Sequence, residues 1–269
     1  MTQILNRHLR GVGMRVAICC KGVPADAVLE SVHIVEGDIV YKDTEFYINE
    51  GDAYALEAAV ALKNSYKAET VAVTVGPLRA QEVLYFALAK GMDHVIRIDG
   101  ESSRPELIAN SLVQTLKGFA PHLVLAGVQS EDWMGGEVGI YIAQALDMGI
   151  AFAVVEICEL SDTHVRIKKE IGGGRKAEVT LTLPAVLCVQ TGIHPLRYLS
   201  AMRRQKVRNT PIKSGGKLDR EGPKQTLSGM VSYEIKGVSL PSKEGHAEMI
   251  TGERSDKAKK LLEIIGDAL

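Results

Sequence analysis

Val165-Arg-Ile-Lys-Lys-Glu-Ile-Gly-Gly-Gly-Arg-Lys-Ala-Glu-Val-Thr-Leu-Thr-Leu-Pro-Ala-Val-Leu-Cys188 is the stretch that decides the fold. It reads as two alternating strands joined by a glycine turn, then a proline and a further apolar strand. Val179, Leu181 and Leu183 alternate with Thr180 and Thr182, the period of a half-buried strand. Gly172, Gly173 and Gly174 supply the positive-φ positions that a tight reversal requires.

Upstream of this hairpin the pattern changes to strands alternating with helices. Residues 16–20 form a short apolar run that ends in the loop signal Lys21-Gly-Val-Pro24. An irregular excursion follows. Asn49-Glu-Gly-Asp52 then precedes a helical pattern over 53–62, with Asn49 and Asp52 both suited to cap it. Strand patterns over 70–75, 94–98 and 122–125 alternate with helical patterns over 78–90, 105–117 and 137–146. Such βαβ repetition predicts an α/β fold, a mostly parallel sheet with helices on both faces, of the Rossmann-like nucleotide-binding type. In such sheets ligands bind outside the carboxyl ends of the strands, where the strand order switches.

Beyond Arg197 the composition turns basic (Arg203, Arg204, Lys206, Arg208, Lys213) and then rich in Gly, Ser and Lys to about residue 226. That composition predicts an extended arm. Ala258, Leu261, Leu262 and Ile265 then lie at helical spacing and predict a terminal amphipathic helix over 255–269. The expected division is an N-terminal extension (1–13), an α/β nucleotide-binding domain (14–200), and a C-terminal arm and helix (201–269).

The 269 residues carry a net charge of −1 and only 5 % aromatics, which speaks against nucleic acid as a partner. No apolar run approaches the length of a membrane span, so direct membrane insertion is not expected and a cytoplasmic location is. Cys19, Cys20, Cys158 and Cys188 lie in apolar runs without metal-ligand spacing, and read as reduced thiols. His33, His94, His122, His164, His194 and His246 are scattered and read as surface or strand-end residues. No nucleophile–base pattern emerges, and Glu131 and Asp132 read as loop charges. The stretch Gly127-Val-Gln-Ser-Glu-Asp-Trp-Met-Gly-Gly-Glu-Val-Gly139 follows a strand and opens a helix, where unpaired N–H groups and the helix dipole favour an anion.

Five segments together resemble the small (beta) subunit of electron transfer flavoproteins. They are Cys20-Lys-Gly-Val-Pro24, Asn49-Glu-Gly-Asp52, Val73-Thr-Val-Gly-Pro77, Gly127-Val-Gln-Ser-Glu-Asp132 with Gly139, and the hairpin. The resemblance extends from about Met14 to the C-terminus. It implies an adenine nucleotide held by Cys19, Asn49, Glu50, Gly51, Asp52 and Val75. The loop residues Gly127, Val128, Gln129, Ser130, Asp132, Gly135, Gly136, Glu137 and Val138 would complete the site. That nucleotide is a structural AMP in ordinary members and a second FAD in electron-bifurcating ones. The redox-active FAD would be shared with a large (alpha) subunit, wrapped by the C-terminal arm.

Five positions depart from the family pattern: Gly172 and Ala177 in the hairpin, Glu137 in place of an amide, and Gly135 and Gly136 in place of side-chain donors. From the loop departures, either phosphate contacts come mainly from backbone or phosphate affinity is reduced. Thr191-Gly-Ile-His-Pro-Leu-Arg-Tyr198 resembles the family's recognition loop, with Ile193 as an exposed anchor and Arg197 and Tyr198 retained. A flavin dehydrogenase, such as an acyl-CoA dehydrogenase, would dock there. The implied function is electron relay from such dehydrogenases to a quinone reductase or another acceptor. Two alternatives stand beside it: a bifurcating subunit that oxidises NADH, favoured by Asp52-x-x-Ala-Leu-Glu57, and a stand-alone nucleotide-binding regulatory domain of universal-stress type.

Overall fold

The structure is a computed structural model and describes residues 13–25, 32–35, 38–41, 44–219, 236–237, 239 and 249–266. The chain divides into two compact units, one formed by Met1–Val32 with Tyr41–Tyr233, the other by His33–Val40 with Glu234–Leu269.

In the first unit the strands are β1 (Arg15–Cys19), β2 (Gly22–Pro24), β5 (Phe46–Ile48), β6 (Glu69–Val75), β7 (His94–Asp99) and β8 (Leu123–Gly127). They are followed by β9 (Gly149–Leu160), β10 (His164–Glu170), β11 (Lys176–Thr182), β12 (Ala185–Val189) and β13 (Lys213–Lys217). Among the described residues this unit has the helices α1 (Glu50–Tyr66), α2 (Gln81–Lys90), α3 (Pro105–Phe119), α4 (Val138–Leu146) and α5 (Ala201–Val207). The large sheet has the order β11-β10-β9-β12-β8-β1-β6-β7-β13. Its run from β9 to β13 is parallel, and β10 and β11 add antiparallel at one end.

Both faces are covered, as an α/β sheet requires. Along β1, Val16 and Ile18 enter one core and Ala17 and Cys19 the other, so all are buried. On one face Leu56 and Ala59 of α1 and Leu84 and Ala87 of α2 pack over Ile18, Ala72 and Leu125. On the other, Leu112 and Leu116 of α3 and Ile142 of α4 cover Val71, Val124 and Val186. The same alternation continues into the hairpin. Val165 and Ile167 are buried on the first face, while Arg166 and Lys168 point outward into ion pairs with Glu159, Glu178 and Glu156.

The irregular excursion contains a short antiparallel ribbon, β2 with β5, and a second pair, β3 (Val32–Val35) with β4 (Asp38–Tyr41). The 12-residue β9 is the largest element that the hydrophobic pattern does not disclose. Ala153 adopts φ 57° and the pairing with β10 and β12 shifts register, so the strand breaks its own alternation. The basic stretch after Arg197 is not extended throughout: it forms α5 and then β13, which closes the sheet edge against β7.

In the second unit α6 (Arg254–Gly266) confirms the terminal helix; its Leu261, Leu262 and Ile265 are exposed. Among the described residues no helix is long and apolar enough to cross a membrane.

Candidate functional site

The strand order reverses at β1. The chain leaves β1 for β6 and β7 on one side, then returns to place β8 on the other. The carboxyl ends of β1 and β8 therefore flank a crevice of the kind that binds ligands in open α/β sheets. Asp52, in the first turn of α1, is buried there and joins the two strand ends. Its carboxylate accepts a hydrogen bond from the Lys21 N–H at 2.8 Å and another from the Gly127 N–H at 2.7 Å. Backbone amides that leave a sheet have lost their ladder partners, and a carboxylate is a strong acceptor for both.

Asn49 precedes α1 but does not cap it with its side chain. The amide instead reaches across the crevice: Nδ2 donates to the Gln129 carbonyl at 3.0 Å, and Oδ1 accepts from the Glu131 N–H at 2.9 Å. The expected capping by Asn49 and Asp52 is thus replaced by long-range bonds that fix the 127–131 backbone. Lys21 Nζ adds an ion pair to Asp132 at 2.6 Å, and Glu131 accepts from the Glu50 N–H at 3.2 Å.

Burial pushes the Asp52 carboxyl up to about 6, against the lowering pull of the Lys21 and Gly127 amides, Asn49 and the Lys21 charge. Burial, and then the neighbouring Asp52 charge, also raises the Cys19 and Cys20 thiols, so both remain protonated at neutral pH. Cys19, Cys20 and Cys188 are buried free thiols; Cys158 is half-buried.

The 127–137 loop owes its path to two close approaches. A Cβ on Gly127 would lie 2.7 Å from Asp52 Oδ1, and a Cβ on Gly136 would lie 2.4 Å from the Val128 carbonyl oxygen. Ser130 closes a turn with Gly135 through an N–H to carbonyl bond of 2.9 Å. Glu137 stands at the start of α4 without a side-chain cap. That uncapped end, next to two glycines, suits a phosphate held by backbone N–H groups. Glu137 is an acidic group beside it and opposes such a ligand.

Of the sequence-derived candidates, Asn49, Glu50, Asp52, Gly127, Gln129 and Asp132 are joined in this network. Gly51 lies against Gly127, and Cys19, Val128 and Ser130 sit at the same strand ends. Val75 and Val138 belong to the apolar layer on the α3–α4 face, and Gly135, Gly136 and Glu137 form the approach to α4. Lys21 and Glu131 complete the network, where the sequence pattern presents them only as a loop residue and a loop charge. The charge of Lys21 directly after an apolar strand, opposite an acidic loop, is the signal that could have found them.

In the 191–198 loop Tyr198 is 90 % exposed, and Met202 just beyond it 83 %. Ile193 is half-buried and packs against the core, not out into solvent. Arg197 donates from Nε to Glu57 Oε2 at 2.6 Å, an ion pair within the chain.

At the opposite pole of the sheet, His122 is a buried strand-end residue. Its Nδ1 accepts from the Arg15 N–H at 3.1 Å, and Arg15 Nη2 donates to the Ala120 carbonyl at 2.7 Å.

The electron transfer flavoprotein domain matches residues 38–214 of the chain. The electron transfer flavoprotein subunit beta of Methylophilus methylotrophus is 32 % identical over 260 residues, covering 91 % of this chain and 96 % of that protein. The subunit beta of Bacillus subtilis (strain 168) is 27 % identical over 244 residues, covering 88 % and 92 %. Subunit CarD of the caffeyl-CoA reductase-Etf complex of Acetobacterium woodii is 28 % identical over 246 residues, covering 89 % and 92 %. With an α/β sheet, a switch-point crevice and matches over most of its length, the chain belongs to the electron transfer flavoprotein family, as a small (beta) subunit.

Proposed function

We propose that this chain pairs with a large (alpha) subunit, shares a redox-active FAD with it, and relays electrons from a flavin dehydrogenase to a quinone reductase or another acceptor. In this reading the chain makes and breaks no bonds. Its own nucleotide site is the crevice between β1 and β8, and the observation that carries this is the buried Asp52 carboxylate joining the two strand ends while Asn49 holds the facing loop. An adenine nucleotide fits: Cys19, Val75 and Val138 offer apolar surface, and the glycine-flanked start of α4 offers backbone donors to a phosphate. Such a nucleotide supplies order to the loop when it is AMP, and redox chemistry when it is FAD.

The 191–198 loop, with Tyr198 projecting, is the proposed dehydrogenase contact. The C-terminal segment from residue 201 onward is proposed to contact the large subunit, with α6 presenting Leu261, Leu262 and Ile265 to it. A bifurcating role, with FAD in the crevice taking hydride from NADH, is the second reading. It is favoured by the likeness to CarD and by Asp52-x-x-Ala-Leu-Glu57. The family match across 38–214 speaks against a stand-alone regulatory domain.

The test is the nucleotide content of the chain purified with its large subunit, released by denaturation and separated by chromatography. One FAD and one AMP per heterodimer supports the simple relay; two FAD and no AMP supports bifurcation. A single FAD with no second nucleotide would overturn the crevice as a site.

A further inference from the structure

We propose that Glu57 and Lys90 are positioning residues that hold the 191–208 segment in a fixed docking geometry; this rests on the reading of that loop as the dehydrogenase contact. Glu57 on α1 is 4 % exposed and Lys90, the last residue of α2, is 7 % exposed. They form a buried ion pair, and both turn toward residue 197. Glu57 accepts from the Arg197 backbone N–H at 3.1 Å and from its guanidinium at 2.6 Å, while Lys90 Nζ donates to the Arg197 carbonyl. Backbone donor, backbone acceptor and side chain of one loop residue are thus all engaged.

The grip continues along α2. Positions 82, 86 and 90 stand four apart and form one stripe of the helix. Lys90 meets Arg197, Phe86 carries the Arg204 guanidinium 5.6 Å from its ring centre, and Glu82 bonds Arg208 at 3.3 Å. Between these contacts Leu199 is buried, and Tyr198 and Met202 are left facing solvent.

A buried ion pair adds little net stability over an apolar equivalent, and is better suited to specifying one geometry among several. Ordering a loop before it binds removes that entropic cost from the encounter, so the expected gain is in affinity for the partner. The electron-transfer step at saturation should be untouched.

The test uses the heterodimer and, as probe, an acyl-CoA dehydrogenase that reduces the wild-type heterodimer. Glu57→Gln should raise the KM for the heterodimer by about tenfold and leave kcat within about twofold. Amide exchange should accelerate in 191–208 but not in β1 or β8. Tyr198→Ala tests the docking reading separately: an unchanged KM there removes the reading itself. A raised KM in Tyr198→Ala with an unchanged KM in Glu57→Gln overturns only the positioning role. Should Glu57→Gln fail to assemble, the double variant Glu57→Gln with Lys90→Met, which leaves no unpaired buried charge, carries the same measurements. Failure of the double variant to fold would make the pair a stability element and overturn the proposal.

Discussion

At Asp52, burial and hydrogen bonding pull the carboxyl group in opposite directions. Burial favours the neutral form, the two amides favour the charged one, and the balance lies at about 6. The native state therefore holds this proton where the unfolded chain has released it. Below pH 3.8 the group contributes no penalty; as pH rises through 6 it removes about 3 kcal/mol of stability. Above pH 6 the carboxylate can accept from both Lys21 and Gly127; protonated, it turns a donor toward one of them. The Gly127 amide resonance should accordingly titrate with a midpoint near 6 in a pH series of nitrogen–proton correlation spectra. A midpoint at or below 3.8 would mean that the amides outweigh burial. Gly127 itself has no room to grow. Gly127→Ala would place a methyl group 2.8 Å from the Gly51 carbonyl carbon and 2.7 Å from the carboxylate. A loss of about 1–3 kcal/mol by denaturant unfolding is expected, together with lower nucleotide occupancy of the purified heterodimer.

Among the elements, β13 shows how packing overrides composition. Lys-Ser-Gly-Gly-Lys has little strand propensity, yet it pairs with β7 because Gly215 fits where a Cβ would lie 2.8 Å from Ile98 and 2.9 Å from Ile96. Gly215→Val should therefore detach the edge strand. Faster amide exchange confined to 94–99 and 213–217 is the expected outcome; unchanged exchange would show that the edge accommodates the side chain. The same element explains what the sequence discloses and what it conceals. The β10–β11 hairpin is legible because Val165, Ile167, Val179 and Leu181 keep strict alternation and three consecutive glycines with positive φ close the turn. β9 is concealed by its bulges, and α5 and β13 by a basic composition that acquires order only against α2 and β7. The site divides likewise. Asn49 and Asp52 stand out as helix-start residues, but their partners lie 31 to 82 positions away, and only the strand order brings them together.

Across the whole molecule, the two poles of the sheet respond to pH with opposite signs. At the carboxyl-end pole, Asp52 gains stability for the fold as pH falls from 6 toward 3.8. At the amino-end pole, burial and the adjacent Arg15 hold His122 below its usual 6.5, with Asp162 pulling weakly the other way. His122 is thus neutral in the fold but charges in the unfolded chain, so stability is lost as pH falls below 6.5. Protonation would also turn the Nδ1 acceptor into a donor facing the Arg15 N–H, at the point where His122 backbone groups bond both Arg15 and Ala185. His122→Asn keeps an acceptor in place of Nδ1 and removes the titration. Urea unfolding of the wild type at pH 7 and pH 5 should show the two contributions opposing each other. In His122→Asn, among the described residues, the Asp52 contribution remains over that interval, so the variant should become more stable at pH 5 than at pH 7. Glu57 and Asp93, held below the ordinary carboxylate range by Lys90 with Arg197 and by Lys63 with Thr70 against their burial, act only under more acidic conditions and leave this comparison clean. A variant with the same pH 7 to pH 5 difference as the wild type would remove His122 as the acid-sensitive group and place that sensitivity elsewhere in the sheet.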